Sequence, residues 1–449
     1  MSYLIKNSYA IVGPHKTRQG DIRISNGVIS EIGQNLVANG EQIIDAKGCV
    51  IYPGFVNTHH HLAQSILKGV PAGLNKGLGE WLAAVPYRFW PKIPPKLMYL
   101  AAKLGIYELQ RSGATTCADH HYLYHQSTSH EMELAVWQAA EEMGMRFVLC
   151  RGSATRVGSH KGMKSMQLEP ETPELVMRRM ERSLQFHDNN PLSMSRLCMA
   201  PTSLIHSCEP AHLKEFAQFA RQHQLKMHSH LLEVQYDEQQ AQSQYAMSAV
   251  EYAQSCDWLG ADVWFAHLVK TDQQSRELLA GTGTGIAHCP TSNCRLGSGI
   301  AAAVEMQALG MPVTIGVDGS ASSESGSMLQ ELNLAWLLQR AQNGADSLQP
   351  QQVLQWASQN GAELLGFKSG QIEVGFAADL VAYRIDSPRM ATVHSLELAP
   401  LLCGEPADIE YSFINGRMVI DNQRSTVVDV AELMSQIHHE MTAFMRTVV

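Results

Sequence analysis

Asn57-Thr58-His59-His60-His61 closes an apolar, strand-like run that starts near position 50. Three distant stretches repeat its form: Met227-His228-Ser229-His230-Leu231-Leu232-Glu233, Ala266-His267 and Gly316-Val317-Asp318-Gly319. Each puts metal-capable side chains at the end of an apolar run. Strand candidates lie at 50–57, 114–119, 146–151, 197–200, 226–230, 262–266, 285–289 and 312–318. Helical patterns separate them at 97–110, 210–223 and 271–279, and two more, 328–339 and 350–365, follow the last strand. Eight strands alternating with helices predict an α/β fold, a (β/α)8 TIM barrel. Such a barrel gathers side chains from the ends of different strands at one face.

The two ends of the chain have another rhythm. Short strands before residue 51 turn at Ser25-Asn26-Gly27, and Asn415-Gly416 marks a hairpin near the other end. A small discontinuous β-sandwich is therefore expected from 1–51 and 371–449, with a terminal helix, around a barrel at 52–370. The 449 residues are 45% hydrophobic and 17% charged, enough for a large core. A formal net charge of −9 and the lack of any basic run argue against a nucleic-acid partner. Nine cysteines without a CxxC pair read as reduced thiols, and Cys289-x4-Cys294 lacks the second pair a zinc knuckle needs. No signal-peptide pattern or membrane-length apolar run is visible, so a cytoplasmic protein without a membrane partner is expected.

Side chains two apart on a strand share a face, so His59 and His61 can reach one metal while His60 points away. His228 and His230 also share a face, and spacing alone leaves open which of them is the ligand. Asp318, in a Gly-Val-Asp-Gly-Ser turn, can meet both a metal and its water. His267 should line the same site.

Pro53-Gly54-Phe55-Val56-Asn57-Thr58-His59-His60-His61, His230-Leu231-Leu232-Glu233, His288-Cys289-Pro290-Thr291-Ser292-Asn293, Gly316-Val317-Asp318-Gly319 and Gly375-Phe376-Ala377-Ala378-Asp379-Leu380 resemble the amidohydrolase superfamily, in its branch of aromatic-amine deaminases. The resemblance implies a metal held by His59, His61, His230 and Asp318, with His228 packed beneath. Binuclear relatives use a fourth-strand lysine, and 196–208 has none. One divalent metal is expected, Zn2+ first, with Fe2+ accepting the same donors. The resemblance assigns catalysis to Glu233 as proton shuttle, His267 as the group that steadies the attacking oxygen, and Asp318 as base.

Lys68-Gly69-Val70-Pro71-Ala72-Gly73-Leu74, Trp81-Leu82-Ala83-Ala84, Pro86-Tyr87-Arg88-Phe89 and Pro201-Thr202-Ser203 resemble the pterin-deaminating members most. Asp119-His120-His121-Tyr122 and Arg151-Gly152-Ser153 are shared with the 8-oxoguanine deaminases. The expected reaction is hydrolytic deamination of a small 2-amino-4-oxo bicycle, isoxanthopterin or a related pterin, with 8-oxoguanine or guanine as the alternative. A non-deaminating or triazine-type hydrolase is the reading from another class. Gln64 and Arg151 are expected to hydrogen-bond the ring, and Trp81, Tyr87 and Trp90 to stack on it. His120, His121 and Tyr122 are expected in the pocket, and a homo-oligomer is the expected assembly.

Overall fold

The computed structural model describes residues 2–158 and 162–448. Its central sheet has eight parallel strands in chain order: β1 (Phe55–His60), β2 (Ala114–His121), β3 (Arg146–Ser153), β4 (Ser195–Pro201), β5 (Lys226–Leu231), β6 (Val263–His267), β7 (Gly285–His288) and β8 (Val313–Ile315). The last meets the first through a parallel bridge between His60 and Asp318. There Asp318 N–H donates to the His59 carbonyl at 3.1 Å, and Thr58 Oγ1 donates to the Ile315 carbonyl at 2.9 Å. This is the expected (β/α)8 barrel.

Strand alternation sorts its side chains. Val56, Ala118, Val148, Cys150, Cys198, Ala200, Trp264 and Ala287 belong to the buried interior, which Leu364, Leu365 and Phe367 join from beyond β8. The expected helices occur as Pro95–Arg111, Pro210–Gln222, Gln273–Thr282 and Met328–Asn343. The expected helix at 350–365 is two, Pro350–Trp356 and Gln359–Leu365. The break falls where the Ala357 carbonyl accepts a hydrogen bond from Val56 N–H at 2.7 Å, tying the helix pair to β1.

The apolar run read as a single strand at 50–57 is also two. Cys49–Pro53 pairs antiparallel with Leu380–Arg384 in a seven-stranded outer sheet, whereas Phe55 onward enters the barrel. Gly54 makes the transition, and a Cβ there would lie 2.1 Å from Thr115 Oγ1, so only glycine fits. A four-stranded sheet of N-terminal strands completes the sandwich, its face sealed by Tyr3, Ile5, Ile22 and Ile24 against Leu380 and Phe413. Asn415 and Gly416, both at positive φ, form the two-residue hairpin turn. All nine cysteines are free. Among the described residues, no helix is long and apolar enough to cross a membrane.

Candidate active site

Three histidines arrive at one point with their tautomers already set. His61 Nδ1 donates to the His120 carbonyl at 2.7 Å and His230 Nδ1 to the Thr202 carbonyl at 2.7 Å. A carbonyl can only accept, so each ring keeps its proton on Nδ1 and presents a bare Nε2. His59 is fixed at one remove. His228 Nδ1 donates to the Trp264 carbonyl at 2.9 Å, so its Nε2 accepts from His59 Nδ1 at 2.8 Å. His228 thus orients His59, and His230 takes the inner position.

Two of the three Nε2 atoms then crowd one carboxylate, and the third joins them through His61. His61 Nε2 lies 3.2 Å from His230 Nε2 and 3.3 Å from Asp318 Oδ1, and His59 Nε2 lies 3.4 Å from the same oxygen. Burial holds His59 and His230 well below the ordinary imidazole range and lowers His61 as well, so all three are neutral donors. His59 Nε2 is buried without a hydrogen-bond partner. Converging lone pairs repel unless a cation sits among them, and neutral imidazoles with one carboxylate suit a divalent metal. No lysine lies on β4. We expect metal analysis of freshly purified protein to give close to one equivalent, and chelation to lower Tm because bound metal stabilises the fold. Full activity that required two equivalents would contradict this.

Asp318 sits at positive φ just past β8. Burial alone would raise its carboxyl, yet the neighbouring His59 and His61 hold it well below the usual range. Its Oδ1 also accepts from Gly319 N–H at 2.7 Å, while Ser292 donates to Oδ2 at 2.5 Å. Glu233 lies two residues past β5, 5% exposed, and burial pushes its carboxyl up to about 7. Its Oε2 faces His267 Nε2 at 3.5 Å, and Ser298 donates to Oε1 at 3.3 Å. Burial opposes charge on His267, but the nearby Glu233 and Asp318 carboxylates raise its pKa overall. An ionised carboxylate, a half-protonated carboxyl and a hydrogen-bonding imidazole therefore lie together.

They open into a cavity of about 470 Å3. Gln64, Trp81, Tyr87, Trp90 and Tyr122 line it beside His61, His230, Glu233, His267 and Asp318. Gln64 Nε2 donates to Tyr122 Oη at 3.3 Å, and its Oε1 has no partner. Gly319 gives that amide room, since a Cβ there would lie 2.0 Å from Gln64 Oε1.

Two residues expected at the ring do not reach it. Arg151 and His121 are register partners on β3 and β2, so they share a sheet face, and it is the face away from the cavity. Their neighbours Cys150 and His120 take the inward face, where the His120 ring packs 4.7 Å from His230. Arg151 is fully buried in a two-pronged ion pair with Glu171 (2.9 and 2.5 Å), its guanidinium 3.8 Å above the Tyr124 ring. His121 packs edge-on to Tyr124 at 5.1 Å. Sequence reading missed Arg156, His206 and Asp237, which line the cavity from segments beyond β3, β4 and β5. Their position just past strand ends was the available signal.

Another buried acid lies nearby. Glu331 accepts from Thr291 N–H at 3.1 Å, and burial raises its pKa from 4.5 to about 8. A raised carboxyl contributes stability below 4.5 that is lost as pH rises through about 8. Glu331→Gln should therefore flatten the fall in stability across that window in denaturation experiments, and an unchanged slope would refute the assignment.

The amidohydrolase family model matches residues 50–419. Isoxanthopterin deaminase from an unknown prokaryotic organism is 40% identical, with 100% of this chain and 98% of that protein aligned. An 8-oxoguanine deaminase of Pseudomonas aeruginosa is 34% identical over 86% of each chain. Among solved structures, an atrazine chlorohydrolase of Arthrobacter aurescens complexed with zinc superposes with a TM-score of 0.91 at 26% identity, covering 97% of this chain and 99% of its own. The chain belongs to the amidohydrolase family. It is an enzyme of that family, with a donor cluster fit for a divalent metal.

Proposed function

We propose that the protein is a metal-dependent hydrolytic deaminase of 2-amino-4-oxo bicyclic heterocycles, with isoxanthopterin or a related pterin as substrate and 8-oxoguanine as the second reading. The observation that carries it is Glu233, a buried carboxyl with its pKa near 7, set beside the His/Asp cluster in a cavity walled by aromatic rings. Hydrolysis at an amine-bearing ring carbon needs an acid to protonate the adjacent ring nitrogen, and a group half-protonated at neutral pH suits that role. The 40% identity to an isoxanthopterin deaminase, against 34% to an 8-oxoguanine deaminase, supports reading a pterin first.

His59, His61, His230 and Asp318 would hold the cation, and Zn2+ is the proposed metal. When bound, it supplies Lewis-acid activation of water near neutral pH. The residues do the rest. Trp81, Tyr87 and Trp90 enclose the flat bicycle, and Gln64 offers an unpaired carbonyl to its edge. Asp318 accepts one proton as water attacks the ring carbon, while the Glu233 carboxyl protonates the adjacent ring nitrogen and His267 steadies the attacking oxygen. In the collapse, Glu233 recovers its proton from the new hydroxyl and Asp318 returns its own to the amine. The C–N bond breaks, ammonia departs and a ring carbonyl remains.

The test is ammonia release across isoxanthopterin, pterin, 8-oxoguanine, guanine and adenosine. A site that hydrogen-bonds a ring edge rejects analogues that leave its polar groups unpaired, by up to ~10⁴-fold. We expect kcat/KM for isoxanthopterin to exceed that for guanine and adenosine by orders of magnitude. Faster turnover of 8-oxoguanine would promote the second reading, and preference for adenosine would discard the substrate class. Turnover only of a chlorinated triazine, with chloride released, would discard deamination.

A further inference from the structure

His288-Cys289-Pro290-Thr291-Ser292-Asn293 has no part in the chemistry just described, yet it runs through the middle of the site. The short helix Pro290–Arg295 follows β7 and lies between His267 and Asp318 in the chain order of the barrel. Ser292 and Asn293 are both fully buried. Ser292 Oγ donates to Asp318 Oδ2 at 2.5 Å, and the Ser322 hydroxyl lies 3.0 Å from that same Oγ. Asn293 Oδ1 accepts from His267 Nδ1 at 2.9 Å, which turns His267 Nε2 toward Glu233. The Asn293 carbonyl accepts from Ser298 N–H at 2.8 Å, and the Ser298 hydroxyl is the one that reaches Glu233 Oε1.

The backbone makes such ties necessary. His267 and Asp318 both have left-handed backbone, with φ of 77° and 59°. Neither side chain therefore takes its direction from regular strand geometry, and such conformations persist only where the surroundings over-determine them. Two of those surroundings are adjacent side chains of one helical turn.

We propose that Ser292 and Asn293 form a single positioning element for the reaction, holding Asp318 Oδ1 toward the imidazole cluster and His267 Nε2 toward Glu233 in one fixed mutual geometry. This rests on the reading of Glu233, His267 and Asp318 as the reacting groups. Neither residue touches substrate. Each acts through the group it holds, so its loss should slow turnover without weakening substrate binding.

The test uses Asn293→Ala, Asn293→Asp, Ser292→Ala and Ser292→Thr in the metal-loaded enzyme. Loss of a supporting partner of this kind typically costs ~10–100-fold. We expect Asn293→Ala and Ser292→Ala to lower kcat by that factor, with KM and metal content near those of the parent. Asn293→Asp and Ser292→Thr keep the acceptor and the hydroxyl and should recover much of the rate. The double alanine variant should lose less than the product of the two single losses, because the pair acts as a unit. An unchanged kcat in either alanine variant would overturn the proposal, and so would losses that follow Tm and are not recovered by the conservative variants.

Imidazole nitrogen NMR of histidine-labelled parent protein gives a readout that needs no substrate and no foldable variant. His267 should carry a proton on Nδ1, and a bare Nδ1 would refute the Asn293 contact. If no heterocycle releases ammonia, the functional reading fails, while this spectrum still decides whether Asn293 orients His267.

Discussion

Glu233→Gln is expected to lose most turnover, by ~10²–10⁴-fold, the usual contribution of a positioned acid–base group. It should also keep its metal. Glutamine matches the carboxyl in shape, so Ser298 can still donate to its carbonyl. What it lacks is a transferable proton. The side chain reaches toward His267 Nε2, whereas His59 and His61 Nε2 crowd Asp318 Oδ1. Steady-state kinetics beside metal analysis decides the matter. A metal-free variant would make Glu233 a ligand, and near-normal kcat would remove it from the proton path.

The second large effect is on stability. Arg151→Met takes from Glu171 its two-pronged partner and leaves it Arg179 alone, at 2.6 Å. Breaking a buried ion pair from one side costs about 3–5 kcal/mol when the remaining charge is left alone, and less here because Arg179 still offsets part of its desolvation penalty. We expect a fall of several degrees in Tm and unchanged KM in whatever protein folds. A rise in KM at constant Tm would return Arg151 to the substrate.

That reversal shows where sequence reading stops. The strands that carry the cluster were legible because histidine, glutamate and aspartate at strand ends signal chemistry whatever the register. His59, His61, His230, Glu233, His267 and Asp318 all meet in one cluster. Arg151 and His121 sit at equally suggestive strand ends, but one residue along a strand reverses the face. The sequence alone did not reveal that positions 121 and 151 are register partners facing the helices. Gln64, Trp81, Tyr87 and Trp90 follow the first strand in a region of short helical turns, and their place in the cavity depends on loop paths that no periodicity encodes. Likewise Ser292 and Asn293 stood inside a quoted motif, but their partners lie 26 residues away in opposite directions along the chain. The split of the run at 50–57 escaped notice because both halves are fully buried, and burial on all sides erases the alternation that would separate them.

The split at Gly54 also bears on how the molecule comes apart. Five residues before His59, the same run of chain is hydrogen-bonded into the outer sheet, and Gly54 N–H donates to the Asp379 carbonyl at 2.9 Å. The Asp379 carboxylate in turn grips Arg146 at the foot of β3, at 2.8 and 3.1 Å, and caps the Asn415 amide at 2.7 Å. Barrel and sandwich are thus riveted at the end opposite the chemistry. Cutting the chain at 52 and 370 would take away both the strand that leads into His59 and His61 and the aspartate that neutralises a buried guanidinium. The barrel is therefore not a module that can be lifted out, transplanted or fused by itself. Any engineering of this scaffold has to carry both ends of the chain, and variation is better tolerated at the cavity rim, where Arg156, His206 and Asp237 stand partly open to solvent.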